Sequence, residues 1–206
     1  MARTRSARAH QKVLDAALEL FANQGIDATS MDAVSEAAGV SKATIYKHWP
    51  DKKALCLEAL ARAHKVDELP EFDSGDLRRD LLAFLEYRPA EEYDEMRRRL
   101  MPHFMAYAAR NPAFERAWRA RVMEPPRERL RQLLERGVKE GALPKDYDLE
   151  LGMALLLGPM MYRFALGPDV TKLPRDLPRR VLDSFWKANA TGGGKREKAK
   201  PKRGRG

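Results

Sequence analysis

Residues 30–49 read SMDAVSEAAGVSKATIYKHW, and their punctuation is that of two short helices joined by a tight turn. Thr29, just before them, supplies a capping hydroxyl, with Asp32 three residues on as the acidic partner of a capping box. The first helix then runs to about Ala38 and stops at Gly39, a residue that tolerates the positive φ such a turn often needs. Ser41 caps a second helix over about 42–48. Ala33, Val34, Ala37 and Ala38 are small enough for the two helices to pack closely, and Val40 and Ile45 anchor the pair from inside. Ser41, Lys42, Thr44, Tyr46, Lys47 and His48 are left facing outward. All are donors or cations and none is an acid, which is what phosphates and base edges require of a partner surface. Two short helices about a glycine turn form the unit that sets its second helix in a DNA major groove. On spacing alone, an ordinary helical hairpin fits as well.

Outward from this stretch the periodicity is helical nearly everywhere. A first helix spans about 5–24, with Val13, Ala17, Leu20 and Phe21 on one face, Leu14 and Leu18 beside them, and Gly25 at the left-handed C-terminal cap. Pro50 ends the second short helix, and another follows over about 51–66 with Leu55, Ala59 and Ala63 at near-helical spacing. The turn-rich, acidic stretch 67–75, DELPEFDSG, marks a domain boundary. Beyond it helices are expected at about 76–87, 91–109, 112–123, 127–140, 148–166 and 176–189. Runs with period-two alternation are absent. The expected fold is therefore all-α, with nine or ten helices. It divides into an N-terminal helix-turn-helix domain over 1–66, a larger helical domain over 76–190, and a basic tail over 191–206. That tail, TGGGKREKAKPKRGRG, cannot bury apolar surface and is expected to be disordered.

The identities in this region go further than the spacing. Phe21, Gly25, Thr29, Ala37, Gly39, Val40, Ser41, Thr44, Tyr46, His48, Lys52 and Leu55 together strongly resemble the N-terminal domain of the TetR repressor family. The resemblance is close over about residues 8–60. Trp49 replaces the family's usual phenylalanine, Ala43 stands where glycine is common, and Ala33-Val34 replaces the usual Ile-Ala pair. All three read as repacking of a small core. The resemblance implies a sequence-specific regulator, most often a repressor, that binds double-stranded DNA. It implies that Tyr46, His48 and Lys52 hold backbone phosphates. Thr29 and Ser41 would do so near helix N-termini, where free N–H groups favour anions. Ser41, Lys42, Thr44 and Lys47 are the candidates for the major groove. Arg8, with Arg3 and Arg5 on the N-terminal arm, would add phosphate or minor-groove contacts. Tyr46 packing inward and His48 capping a helix end are the plainer alternatives for those two residues.

One such unit touches only a few base pairs, and a two-fold dimer would double the contact on a palindrome. The 148–166 helix is apolar on most of its surface and must be buried. Leu149, Met153, Leu156, Met160 and Phe164, with Val181 and Phe185 of the last helix, are the candidate interface. In the resembled family the last two helices form a four-helix bundle with their symmetry mates. Filling an intrachain core is the alternative. Met101, Phe104, Met105, Tyr107, Trp118, Met123 and Tyr162 are the candidate lining of a pocket for a small hydrophobic inducer, which the resemblance also implies. Methionine suits permissive pockets, although residues at this spacing also build plain core.

Bulk properties fit this reading. The net charge is +9, of which residues 1–12 carry +4 and residues 191–206 carry +6, so the body between is near neutral. Basic arms on a neutral body suit a polyanion, though such tails also serve solubility alone. The lone Cys56 excludes an internal disulfide framework and suits a reducing cytoplasm. No signal peptide and no membrane span are expected, because the apolar run near 153–166 is broken by Gly158, Pro159 and Arg163. An enzyme is the competing class. The four histidines are scattered, so no metal site and no cofactor is expected. Gly192–Lys195 lacks the strand, helix and first glycine of a phosphate loop. Glu91, Glu92, Asp94 and Glu95 read as a solvated helix start rather than catalytic carboxylates. A non-specific nucleic-acid binder using its arms alone is the remaining alternative.

Overall fold

The structure, a computed structural model, describes residues 2–87, 93–166 and 174–191, and the side chains of all of these except 2–6 and 163–166. Among the described residues there are ten α-helices and no strand. In chain order they are α1 (Ala2–Gln24), α2 (Met31–Ala38), α3 (Lys42–His48), α4 (Lys52–Ala63), α5 (Leu77–Glu86), α6 (Asp94–Arg110), α7 (Pro112–Trp118), α8 (Glu124–Lys139), α9 (Leu149–Leu166) and α10 (Leu177–Asn189). The chain forms two compact units, Met1–Glu71 with Tyr87–Arg129, and Phe72–Glu86 with Leu130–Gly206.

In the first unit α1 is the central strut and packs on α2, α4 and α6. Its apolar positions recur at helical spacing, and Val13, Leu14, Ala17, Leu18 and Phe21 are fully buried. Val34, Ile45, Leu55 and Ala59 join them from the next three helices, Ile26 and Trp49 from the connections, and Leu100, Phe104 and Phe114 from α6 and α7. Gly25 takes φ 89° and its amide donates to the Phe21 carbonyl, the expected left-handed stop. Sequence spacing predicts a break between 123 and 127, where two prolines stand. Instead α7 runs into a π-helical turn, Arg119–Met123, and on into α8. The Glu124 amide reaches back to the Arg119 carbonyl. The wider turn lets Pro125 and Pro126 fall in the first turn of α8, where a missing N–H costs little.

In the second unit α10 packs on α5 and α9. Leu81, Leu85, Leu130, Leu134, Leu143, Met153, Leu156, Leu182 and Phe185 make its core. One carboxylate is buried here. Asp80 accepts the Ser74 amide at 2.9 Å and pairs with Arg136 at 2.5 Å. Burial alone would raise its pKa, but the Ser74 hydrogen bonds and the Arg136 guanidinium hold it below the usual carboxylate range.

Candidate nucleic-acid interface

Local rules place the reading helix. Ser30, not Thr29, caps α2: the Ser30 Oγ accepts the Ala33 amide at 3.0 Å. Ala33 then stands at the third helical position, so the expected capping box does not form, and Thr29 turns inward. It is 1% exposed, and its hydroxyl donates to the Gly25 carbonyl at 2.8 Å while accepting from Gln24. Gly39 stands at φ 61° and ends α2 with its amide on Ser35 and Glu36 carbonyls. The Ser35 hydroxyl donates to the Val40 carbonyl at 2.7 Å and closes the turn. Ser41 then caps α3, accepting the Thr44 amide at 3.3 Å, and its hydroxyl also pairs with the Thr44 hydroxyl at 2.9 Å.

Within α3 only Ile45 is buried. Lys42, Ala43, Thr44, Tyr46, Lys47 and His48 are all exposed, together with the cap Ser41. The expectation of a face without acid needs one correction. Asp32 of α2 reaches Lys42 at 2.7 Å, so a carboxylate stands at one rim. Both side chains of that pair are more than half exposed, where an ion pair is worth little and exchanges readily.

The far end of α3 rests on a network that the sequence reading missed. The Trp49 indole N–H donates to Glu58 at 2.7 Å, and the other Glu58 oxygen meets His10 Nε2 at 2.5 Å. The His10 ring lies 4.4 Å from Trp49 and 5.3 Å from His48 between centroids. α1, α3 and α4 are thus tied through one carboxylate. The available signal was Trp49 itself, since an indole N–H in a core needs an acceptor that phenylalanine does not.

Lys52, expected on a phosphate, also donates to the carbonyls of Asp27 and Thr29 at 2.9 and 2.8 Å, and so ties α4 to the loop before α2. Arg8 is exposed on α1. The side chains of Arg3 and Arg5, and the tail beyond 191, lie outside the described residues.

The candidate pocket residues differ in burial. Phe104 and Tyr107 are buried and pack on Phe114 at 6.1 and 5.0 Å, with Trp118 4.5 Å from Phe104. Met101 and Trp118 pack on that core half-buried, and Met123 is half-buried as well. Met105 is exposed, and Tyr162, also exposed, belongs to the other unit. Of the interface candidates, Met153 and Leu156 fill the core of their own unit, Val181 and Phe185 are buried but also line an apolar groove at its surface, and Leu149 and Met160 are half-buried. The Phe164 side chain lies outside the described ones. The outward apolar stripe of α9 is Leu151, Leu155, Met161 and Tyr162. An apolar groove runs beside it, lined by Leu155, Pro159, Leu177, Val181 and Ala188. No group of three metal-binding side chains occurs among the described residues, and no described helix is long and apolar enough to cross a membrane.

Relatives agree with this geometry. Residues 13–59 match the family model for bacterial regulatory proteins of the tetR family, and residues 71–185 match that for the tetracyclin repressor-like C-terminal domain. The HTH-type transcriptional regulator YdeS of Bacillus subtilis is 30% identical over 92% of this chain and 94% of its own. The DNA-binding transcriptional repressor TetR of Mycobacteroides abscessus is 30% identical over 80% and 84%. Among solved structures, the flavonoid-responsive regulator FrrA is 27% identical with a TM-score of 0.66, covering 90% of this chain and 98% of its own. An exposed helix capped by Ser41, set on an N-terminal helical core and followed by a matching helical C-terminal region, makes this chain a member of the TetR family of helix-turn-helix, DNA-binding transcription regulators.

Proposed function

We propose that the protein is a cytoplasmic, homodimeric repressor that holds a palindromic operator and is released from it by a small hydrophobic ligand. The observation that carries the operator reading is α3: among seven residues only Ile45 is buried, and the exposed remainder bears hydroxyls and cations but no acid. The dimer reading draws on the outward stripe Leu151, Leu155, Met161 and Tyr162, an exposed apolar strip of the kind that marks an interface. The ligand reading draws on the half-buried Met101, Trp118 and Met123 and on the flavonoid response named for the structural relative. A ligand that favours a state with mismatched half-site spacing releases DNA by linkage.

The test is a gel shift of the protein on DNA from upstream of its own coding sequence, repeated with a flavonoid present. A saturable shift, competed by the same DNA but not by a scrambled duplex, and reversed by the flavonoid, is the expected result. A shift that the scrambled duplex competes equally well would replace the operator with non-specific binding. Retention of the shift with flavonoid would remove that ligand class and leave the regulator.

A further inference from the structure

The partners of the α3 side chains sort them by what each has left to offer DNA. Lys42 forms an exposed ion pair with Asp32 at the rim, which a phosphate can displace. The exposed Thr44 side chain shares a 2.9 Å hydrogen bond with the Ser41 hydroxyl and carries a γ-methyl beside it. Ala43 is exposed and presents only a methyl. Lys47 is exposed and has no ion pair among the described residues. It stands four residues from Ala43 and three from Thr44, so all three share one helical face. The middle of the reading face is therefore two methyls beside one ammonium.

In the major groove, methyl groups of alanine and threonine match the C5-methyl of thymine, and lysine matches the O6 and N7 acceptors of guanine. Four residues of helix rise about 6 Å, close to two base-pair steps of about 3.4 Å. Resting on the reading of α3 as the groove helix, we infer that Ala43 and Thr44 read a thymine methyl and that Lys47 reads a guanine one or two base pairs away. Each operator half-site then carries both bases at that separation. The carrying fact is that the exposed Ala43 offers only a methyl one turn from Lys47, beside the Thr44 γ-methyl, while the Thr44 hydroxyl already shares a hydrogen bond with Ser41.

The experiment starts from duplexes selected out of random DNA by the full-length protein. A selection that returns no enriched sequence would sink the operator reading itself. A palindrome whose half-sites lack a thymine and guanine one or two steps apart would overturn this inference alone. With the selected duplex, the thymine is replaced by deoxyuridine, which removes only the methyl. The expected loss is about fourfold per half-site, the worth of one buried methyl. Thr44→Ser keeps the hydroxyl that pairs with Ser41, and combined with Ala43→Gly it should bind the two duplexes equally. Equal binding of both duplexes by the unaltered protein would overturn the methyl reading. Replacing the guanine by 7-deazaguanine should cost the protein about fivefold and cost Lys47→Met nothing. If Lys47→Met weakens all duplexes alike and still discriminates the two guanines, Lys47 holds phosphate and that half of the inference falls.

Discussion

Lys52 and Tyr46 carry the same expected role in the sequence, and the structure separates them. Two of the three Lys52 ammonium protons go to carbonyls of its own chain, whereas Tyr46 is 49% exposed. Lys52→Met should therefore lower stability, by about 1–2 kcal/mol for two charge-assisted bonds, as read from thermal melts. Tyr46→Ala should leave the melting temperature nearly unchanged and weaken operator binding about tenfold, a loss of about 1.4 kcal/mol. Finding the two effects exchanged between the variants would refute this assignment. His64 gives a second test at this scale. Burial, and then the Arg97 charge, push its pKa from 6.5 down to about 4. The folded state keeps the ring neutral while the unfolded chain protonates it, so stability is lost as pH falls from about 6.5 to 4. The full loss is about 3 kcal/mol. Denaturant midpoints at pH 7 and pH 4.5 should separate less in His64→Asn than in the unaltered protein.

At the scale of elements, α3 is too short to be stable alone and takes its orientation from its neighbours. Ile45 and Trp49 anchor it from within, and Glu58 fixes the Trp49 indole against His10. Trp49→Phe should cost about 1 kcal/mol, and less once Glu58→Leu has removed the acceptor. A double-mutant cycle on unfolding free energy should report coupling of about 1 kcal/mol. A vanishing coupling would mean that the indole only fills space. The π-helical turn Arg119–Met123 belongs to the same scale. A pair of prolines reads as a helix stop, yet here the preceding turn widens and the helical path continues.

For the whole molecule, the outward α9 stripe bears on assembly and on DNA together. Leu155 is 43% exposed on its own unit, so Leu155→Glu should leave the fold intact and shift the protein to monomer in sedimentation. Operator binding by the monomer should weaken by orders of magnitude and lose its preference for palindromes. A fully dimeric Leu155→Glu protein would direct the interface elsewhere. The all-helical class, most of the helix order, the turn at Gly39 and the exposed side chains of α3 were all legible in the sequence. They follow from local rules: periodicity, capping hydroxyls, and a glycine where φ must be positive. Which hydroxyl caps α2, which partners occupy Lys42 and Lys52, and which face of α9 looks outward were decided only by tertiary structure. α9 is apolar nearly all round, so its periodicity cannot choose between Met153–Leu156 and Leu151–Leu155. Ser30 and Thr29 are chemically alike as caps. Packing against distant segments breaks such ties, because burial and hydrogen-bond satisfaction depend on neighbours in space rather than in sequence.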